Sequence, residues 1–455
     1  MSVLQFYRSV IEPVMVLLTH IGFMVLMASL PLSKGTSSVT LVILLCFSLF
    51  FLMFSGITHQ SKQFPNKLMR LFWTFFACFV IGLFYSTHFS TGIEVAYKQN
   101  AFLLIPFILY MAYDLVKWYG TLYLKWFVWG TAFAGLVIIS LYLLPDEIFE
   151  QIGPNLHRFG LNKLKQGIQF EKFGFYTPFI DRLSIGNFIS LSVLTCCWFI
   201  ASQLQSRIFS CFLIALLLFA SLVIGGRGGQ IGLFAGLAIW AGYFVFQFIQ
   251  KLPSRFQLVS KVTLSTLLFL LIALTPYIIF RNVPAVWDRY NQMFWELSML
   301  QKGVYQEYDY EHFTTLRRIY SWLGSWDIIV QQPIFGTGTG DYRYELQEVY
   351  HAKGWNVPVN AHNQFLQIWA MLGIAGLLVF IAILIAFLKR IFKIGNTPLK
   401  VFGVSLIVFY VVIFLFDSAI NMQAGNMAFV LILCILSAQP ISDKGSTKKQ
   451  ITLSG

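Results

Sequence analysis

One histidine and four arginines carry the chemistry this sequence could perform. His362 and Asn363 stand at the head of a long apolar run, "NAHNQFLQIWAMLGIAGLLVF" (360–380), with Gly373 and Gly376 further along it. Imidazole can take a proton from a hydroxyl near neutral pH, or orient it. Arg317 and Arg318 lie in "TTLRRIYSW", Arg227 in "VIGGRGGQIG" and Arg182 in "FIDRLSIGN". A guanidinium offers a planar fork of donors that matches phosphate oxygens. The glycines flanking Arg227 leave it uncrowded and let backbone approach closely. Each feature also has a plainer reading. A polar pair before a helix can simply cap it. An arginine at a helix end can snorkel to the interface, or pair with a carboxylate, as Arg182 could with Asp181. Several arginines and one histidine on the same face favour a basic site at the bilayer boundary, suited to a lipid phosphate or pyrophosphate.

The elements that position these residues are apolar helices. Of 455 residues, 57% are hydrophobic and only 11% are charged, with a mean hydropathy of +0.71. A soluble domain carries roughly 25% charged residues, so lipid must be the solvent for much of this chain. A helical crossing needs about 20 apolar residues. Twelve such runs are expected, at 12–31, 38–57, 69–86, 100–116, 122–144, 184–203, 207–224, 229–250, 260–280, 363–388, 399–416 and 421–438. The first holds Pro13 and His20 and the fourth Pro106. The first lacks the marks of a cleaved signal and is read as a retained helix.

Charge gives the orientation. With the N-terminus in the cytoplasm, the cytoplasmic segments hold 17 of the 32 basic residues and only Glu12, Asp114 and Asp443 of the 19 acidic ones. Short basic loops on one side are the positive-inside signal. The net charge of +13 is therefore a topology signal. No basic face stands apart from the membrane flanks, so nucleic-acid binding is disfavoured. The expected location is the bacterial inner membrane, with the site on the periplasmic side. All six cysteines, Cys46, Cys78, Cys196, Cys197, Cys211 and Cys434, fall in apolar runs, so no disulfide framework is implied. No Cys/His cluster has metal-ligand spacing.

The expected organisation is a transmembrane bundle over 1–280 with a periplasmic loop near 145–183. A periplasmic catalytic loop follows at 281–362, then three helices over 363–438 and a cytoplasmic tail at 439–455. Loops this long are usually functional. Within the larger one, residues 313–332 have helical spacing, and "IFGTGTGDYRYEL" reads as a glycine-rich turn entering a short helix. "GTGTGD" lacks the strand–turn–helix context of a dinucleotide fingerprint. It is read as a tight turn; the sharper alternative is that its amides help to line an anion site.

At these residues the chain resembles the bacterial O-antigen ligase and polymerase superfamily. The family's motif is His, then Asn, Ser or Gln, nine residues, Gly, two residues, then Gly, Thr or Tyr. His362, Asn363, Gly373 and Gly376 fit it without a gap. "RRIYSWLGSWDIIVQQPIFGTGTGDY" is similar to the stretch that precedes the motif, with Trp322 four residues after Arg318. "GGRGG" resembles the family's Arg-Gly motif, and "DSAINMQAGNMAF" (417–429) a C-terminal pattern of some members. The match is specific around 313–380, fair at 222–232 and only architectural over the N-terminal third.

The resemblance implies an all-α integral membrane protein of about twelve helices, a GT-C-like glycosyltransferase. It implies transfer of a glycan from undecaprenyl pyrophosphate to a lipid A-core acceptor, with inversion and without metal, nucleotide or other cofactor. His362 would act on the acceptor hydroxyl. Arg227 and Arg318 would bind the pyrophosphate, with Arg317 beside them and Arg182 as a weaker candidate. Asn363, Gly373 and Gly376 would support the site. Alternatives in the same superfamily are polymerisation onto a second lipid-linked glycan and transfer to protein. A transporter is the reading outside it, but it would call for repeats or charges at the midplane.

Overall fold

The structure is a computed structural model that describes residues 11–55, 66–143, 179–224, 226–251, 263, 284–302, 314–355, 360–394 and 396–439. Every regular element among the described residues is helical. The first half contains α1 (Glu12–Ser29), α2 (Lys34–Ser55), α3 (Asn66–Leu83), α4 (Phe89–Lys98), α5 (Ala101–Met111), α6 (Tyr113–Tyr142), α7 (Arg182–Ala201), α8 (Arg207–Ile224) and α9 (Arg227–Gln250). The second half contains α10 (Pro284–Lys302), α11 (Thr314–Gln331), α12 (Tyr342–Ala352), α13 (Gln364–Lys393), α14 (Thr397–Phe416) and α15 (Gln423–Ser437).

Eight of these helices, α1, α2, α6, α7, α8, α9, α13 and α14, are long and apolar enough to cross a membrane. Eleven of the twelve expected spans fall on helices. The ninth, 260–280, lies outside the described residues apart from Thr263, as does most of the expected loop at 145–183. Pro13 sits in the first turn of α1, where its missing N–H is no loss. The second polar interruption of that run, His20, has its Nδ1 2.8 Å from the Tyr123 hydroxyl on α6.

One expectation needs correction. The run 100–116 is not one helix, because α5 stops at Met111 and α6 starts at Tyr113, with Ala112 at φ −98°, ψ 25° between them. Pro106 lies inside α5 without breaking it. The two helices share α15 but otherwise have different neighbours: α5 packs on α3 and α2, whereas α6 packs on α1, α7 and α8. Tertiary packing redirects the chain where the sequence is continuously apolar. As a result, 117–121 is part of α6 and not a loop. The connection after α3 contains a further helix, α4.

The core centres on α7, which touches α6, α8, α9 and α14 and is buried along most of its length. Its Ser184, Gly186, Ser190, Ser192 and Thr195 are small enough for neighbouring backbones to approach. A Cβ on Gly229 of α9 would stand 2.9 Å from Asn187 Oδ1, and Ser190 Oγ donates to the Gly229 carbonyl at 3.2 Å. Larger residues at these positions would push α9 away from the core.

A clasp outside the bundle fixes the head of α13. Gly373, at φ 68°, ψ −172°, interrupts α13 and frees backbone groups that a regular helix would pair. The segment after α11 takes them up. Thr337 N–H donates to Ala370 O (2.9 Å), Gly338 N–H to Met371 O (3.0 Å), and Ile374 N–H to Pro333 O (3.0 Å). Two further bonds seat the same turn on α3: Thr339 N–H donates to Gly82 O at 3.2 Å, and Thr339 Oγ1 to Phe79 O at 2.6 Å. Beyond it, Asp341 accepts the main-chain N–H groups of Thr87 (2.6 Å) and His88 (2.7 Å) and lies 2.8 Å from His88 Nδ1. Burial pushes the Asp341 carboxyl up. The bonds from His88 and Thr87 outweigh it and hold the group below its usual range.

Candidate functional site

Five helix ends meet at one end of the bundle: the starts of α7, α9 and α13 and the ends of α8 and α14. The helix α11 lies against them. Its own start is fixed by α10, where the fully buried Glu296 accepts the N–H groups of Thr315 (2.6 Å) and Leu316 (2.9 Å). A carboxylate on those amides satisfies orphan donors and complements the positive end of the helix dipole. It thereby sets the register from which Arg317 and Arg318 project.

Arg318 Nε donates to the Phe416 carbonyl, the last of α14, at 3.3 Å. Gly228, in the first turn of α9, lies against Phe416, to whose Cβ an added Cβ would stand 3.9 Å away. The backbone of Arg227, which opens α9, is thus brought to the corner occupied by Arg318. The Arg227 side chain lies outside the described part of the structure. Arg182 opens α7, and its Nε donates to the Ile224 carbonyl at the end of α8 at 2.8 Å. Its neighbour Asp181 caps α7 by accepting Ser184 N–H at 2.8 Å and faces Lys34 Nζ at 3.2 Å.

His362 lies between this basic corner and the head of α13. It is not the cap. Asn363 is: its Oδ1 accepts Leu366 N–H at 3.1 Å, while its Nδ2 donates to Leu415 O at 3.2 Å and so ties α13 to α14. His362 instead adopts φ 47°, a left-handed conformation uncommon for a residue with a side chain. Its carbonyl accepts the Trp322 indole N–H at 3.2 Å, and its own N–H donates to Asn360 Oδ1 at 3.3 Å. The ring Nδ1 is buried and has no hydrogen-bond partner among the described residues. Burial first, then the charges of Arg318 and Arg317, push the imidazole down to about 4. The histidine is therefore neutral at ordinary pH, with a vacant ring nitrogen facing a positive field.

Asp417 completes the cluster. Burial raises its carboxyl above the usual range, while the Ser418 amide and Arg318 act to lower it. It belongs to the "DSAIN" stretch, and nothing in its local spacing ties it to Arg318. Glu296 likewise carries no local signal, and Trp322 stands in the resembling stretch without an assigned role.

The structure brings His362, Asn363, Arg317, Arg318, Arg182 and the Arg227 backbone to one end of the bundle. Gly373 and Gly376 lie further along α13 and serve packing. A Cβ on Gly376 would stand 2.4 Å from Leu372 Cβ. The glycine turn does not supply an anion site through its amides: those of Thr337, Gly338 and Thr339 are bonded to protein carbonyls and that of Gly340 to Ser86 Oγ.

Fold and site together define a multi-pass, all-helical membrane protein with an imidazole and an arginine cluster at the ends of its helices. Residues 209–381 match the family model described as O-antigen ligase, a stretch containing Arg227, Arg317, Arg318, His362, Asn363 and both motif glycines. Over those residues the chain is similar to the O-antigen ligase family. A Haemophilus influenzae protein, whose name assigns it no function, is 27% identical over 292 residues, covering 59% of this chain and 68% of its own length. Two rickettsial proteins carry the provisional name polysaccharide ligase. The one from Rickettsia conorii is 29% identical over 103 residues, 21% of this chain and 25% of its own. The one from Rickettsia bellii is 28% identical over 118 residues, 25% of this chain and 29% of its own.

Proposed function

We propose that this protein transfers a glycan from an undecaprenyl pyrophosphate carrier to a lipid A-core acceptor on the periplasmic face of the inner membrane. A hydroxyl oxygen of the acceptor attacks the anomeric carbon of the donor. The bond from that carbon to the pyrophosphate oxygen breaks, and undecaprenyl pyrophosphate leaves with the electron pair. Attack opposite the leaving group inverts the carbon. His362 receives or orients the hydroxyl proton through its vacant ring nitrogen. Arg318, Arg317 and Arg227 meet the charge that grows on the pyrophosphate, which is where electrostatic stabilisation has most effect. Arg182 holds the end of α8 and so the approach to Arg227.

The observation that carries this reading is the buried Nδ1 of His362, without a partner among the described residues and beside two arginines. A neutral ring nitrogen can accept a hydrogen bond from a substrate hydroxyl, and the two arginines beside it distinguish it from other buried polar atoms. A base in this position typically contributes about 10²–10⁴-fold. The site's place at the helix ends suits a donor whose lipid tail stays in the bilayer while its phosphates reach the boundary.

The test is to incubate purified protein with a lipid-linked glycan and, separately, with lipid A-core, with a second lipid-linked glycan and with a protein acceptor. Sugar gained by lipid A-core alone supports the proposal. Gain by the second lipid-linked glycan would replace ligation with polymerisation, and gain by no acceptor would overturn group transfer.

A further inference from the structure

One side chain spans the two halves of this site. We propose that Trp322 is a positioning residue: its indole N–H holds the His362 carbonyl, fixing the imidazole relative to the Arg318 guanidinium. The inference rests on the reading of His362 given above and adds a residue that acts through it.

Trp322 lies four residues after Arg318 on α11, so the two project from the same face of the helix. Its Nε1 donates to His362 O at 3.2 Å, and its ring lies 6.3 Å from that of Phe416 at a tilt of 45°. The Phe416 carbonyl accepts Arg318 Nε. Trp322 therefore contacts both the anchor of the arginine and the main chain of the histidine.

The main chain at His362 needs such a hold. A φ of 47° is costly for a residue with a Cβ and persists where the surroundings over-determine it. Trp322 supplies one restraint at the carbonyl and Asn360 another at the N–H. Catalytic histidines are commonly oriented by a third group bonded to the ring. Here Nδ1 has no such partner among the described residues, and the indole holds the main chain from which the ring projects.

The experiment uses the full chain in nanodiscs with a lipid-linked glycan and the acceptor it serves. Trp322→Phe removes the N–H and part of the ring. Replacement of Trp322 by benzothienylalanine, in which sulfur takes the place of the N–H, keeps the bicyclic shape and guards against a folding defect. Misplacing a reacting group slightly can cost up to about 100-fold. Both variants are expected to lose about 10- to 100-fold in kcat, while donor KM stays within about twofold and the melting temperature stays near native. An unchanged kcat overturns the proposal. So does a parallel loss of kcat, donor affinity and melting temperature in the isosteric variant, which would make the indole a strut. His362→Ala is measured alongside. If it transfers sugar at the native rate, the reading of His362 fails and the positioning role falls with it. If it is inactive while both Trp322 variants are fully active, only the positioning role fails.

Discussion

The main chains of Gly373 and Ile334 meet so closely that the Ile334 carbonyl oxygen lies 1.9 Å from where a Cβ on residue 373 would stand. The clasp can close on α13 only because that position has no side chain. Gly373 also has φ 68°, so an alanine would meet both a clash and backbone strain. Gly373→Ala should lose stability by more than the ~1–3 kcal/mol of the strain by itself, read as a lower melting temperature and poor recovery from membranes. Gly242→Ala, whose added Cβ meets nothing within 4 Å, is the control, and alanine should be neutral or mildly favourable in that helix. Equal melting temperatures for the two variants would refute the clasp.

The cap and the proposed base sit next to each other and should separate experimentally. Asn363→Ala removes the bond to Leu366 N–H and the tie to Leu415, and should cost about 0.5–2 kcal/mol for the cap. His362→Asn should leave the melting temperature close to native, because residue 363 already caps α13, yet abolish transfer with donor still bound. Near-native transfer by folded His362→Asn protein would remove the proton-accepting role.

The sequence shows a good deal of this arrangement. Apolar runs give the helices, because a bilayer demands long continuous segments whatever their neighbours. The motif residues His362 and Asn363 stand together at a helix head, and "GGRGG" marks the only kind of backbone that can approach α7 as Gly229 does. What stays hidden depends on contacts distant in sequence. Glu296 reads as one acid on a surface helix, and only the fold places it on the amides of Thr315 and Leu316. Asp417 is an isolated carboxylate until α14 sets it beside Arg318. The break at Ala112 has no local signal, since alanine favours helix on both sides. The amides of the glycine turn look available in the sequence and are taken by α3 and α13 in the fold.

Arginine at 318 should not be replaceable by lysine. Its Nε is bonded to Phe416 O, which fixes the plane of the guanidinium at this corner. Lysine offers a point charge without that anchor. Arg318→Lys should weaken binding of the lipid-linked donor about 10- to 150-fold, the range expected when a charge-assisted bond of about 1.5–3 kcal/mol is lost. Arg227→Lys should behave alike if its fork reaches the same phosphates. Donor binding by both lysine variants and both alanine variants, compared with native protein in the same nanodiscs, checks this. Native affinity in all four would reduce the pair to membrane anchors.

The acid limb of the reaction should move when donor binds. In the free protein His362 is held down to about 4, mostly by burial and then by Arg318 and Arg317. Its folded value therefore lies below the ordinary 6.5. The unfolded chain takes up the proton first, so the stability this group contributes is complete above about 6.5 and is lost as pH falls toward about 4. Bound pyrophosphate brings negative charge to the same arginines. It offsets their repulsion of the imidazolium and raises the histidine from its free value. The pH dependence of kcat/KM reports the free enzyme and that of kcat the donor complex. The acid limb of kcat/KM is thus expected near 4 and that of kcat at higher pH, with Arg318→Gln raising the first limb and narrowing the gap. Measuring both profiles with saturating acceptor decides the matter. A kcat limb at or below the kcat/KM limb would mean that the arginines and the histidine do not share the donor's charge, and the site would have to be built around a different base.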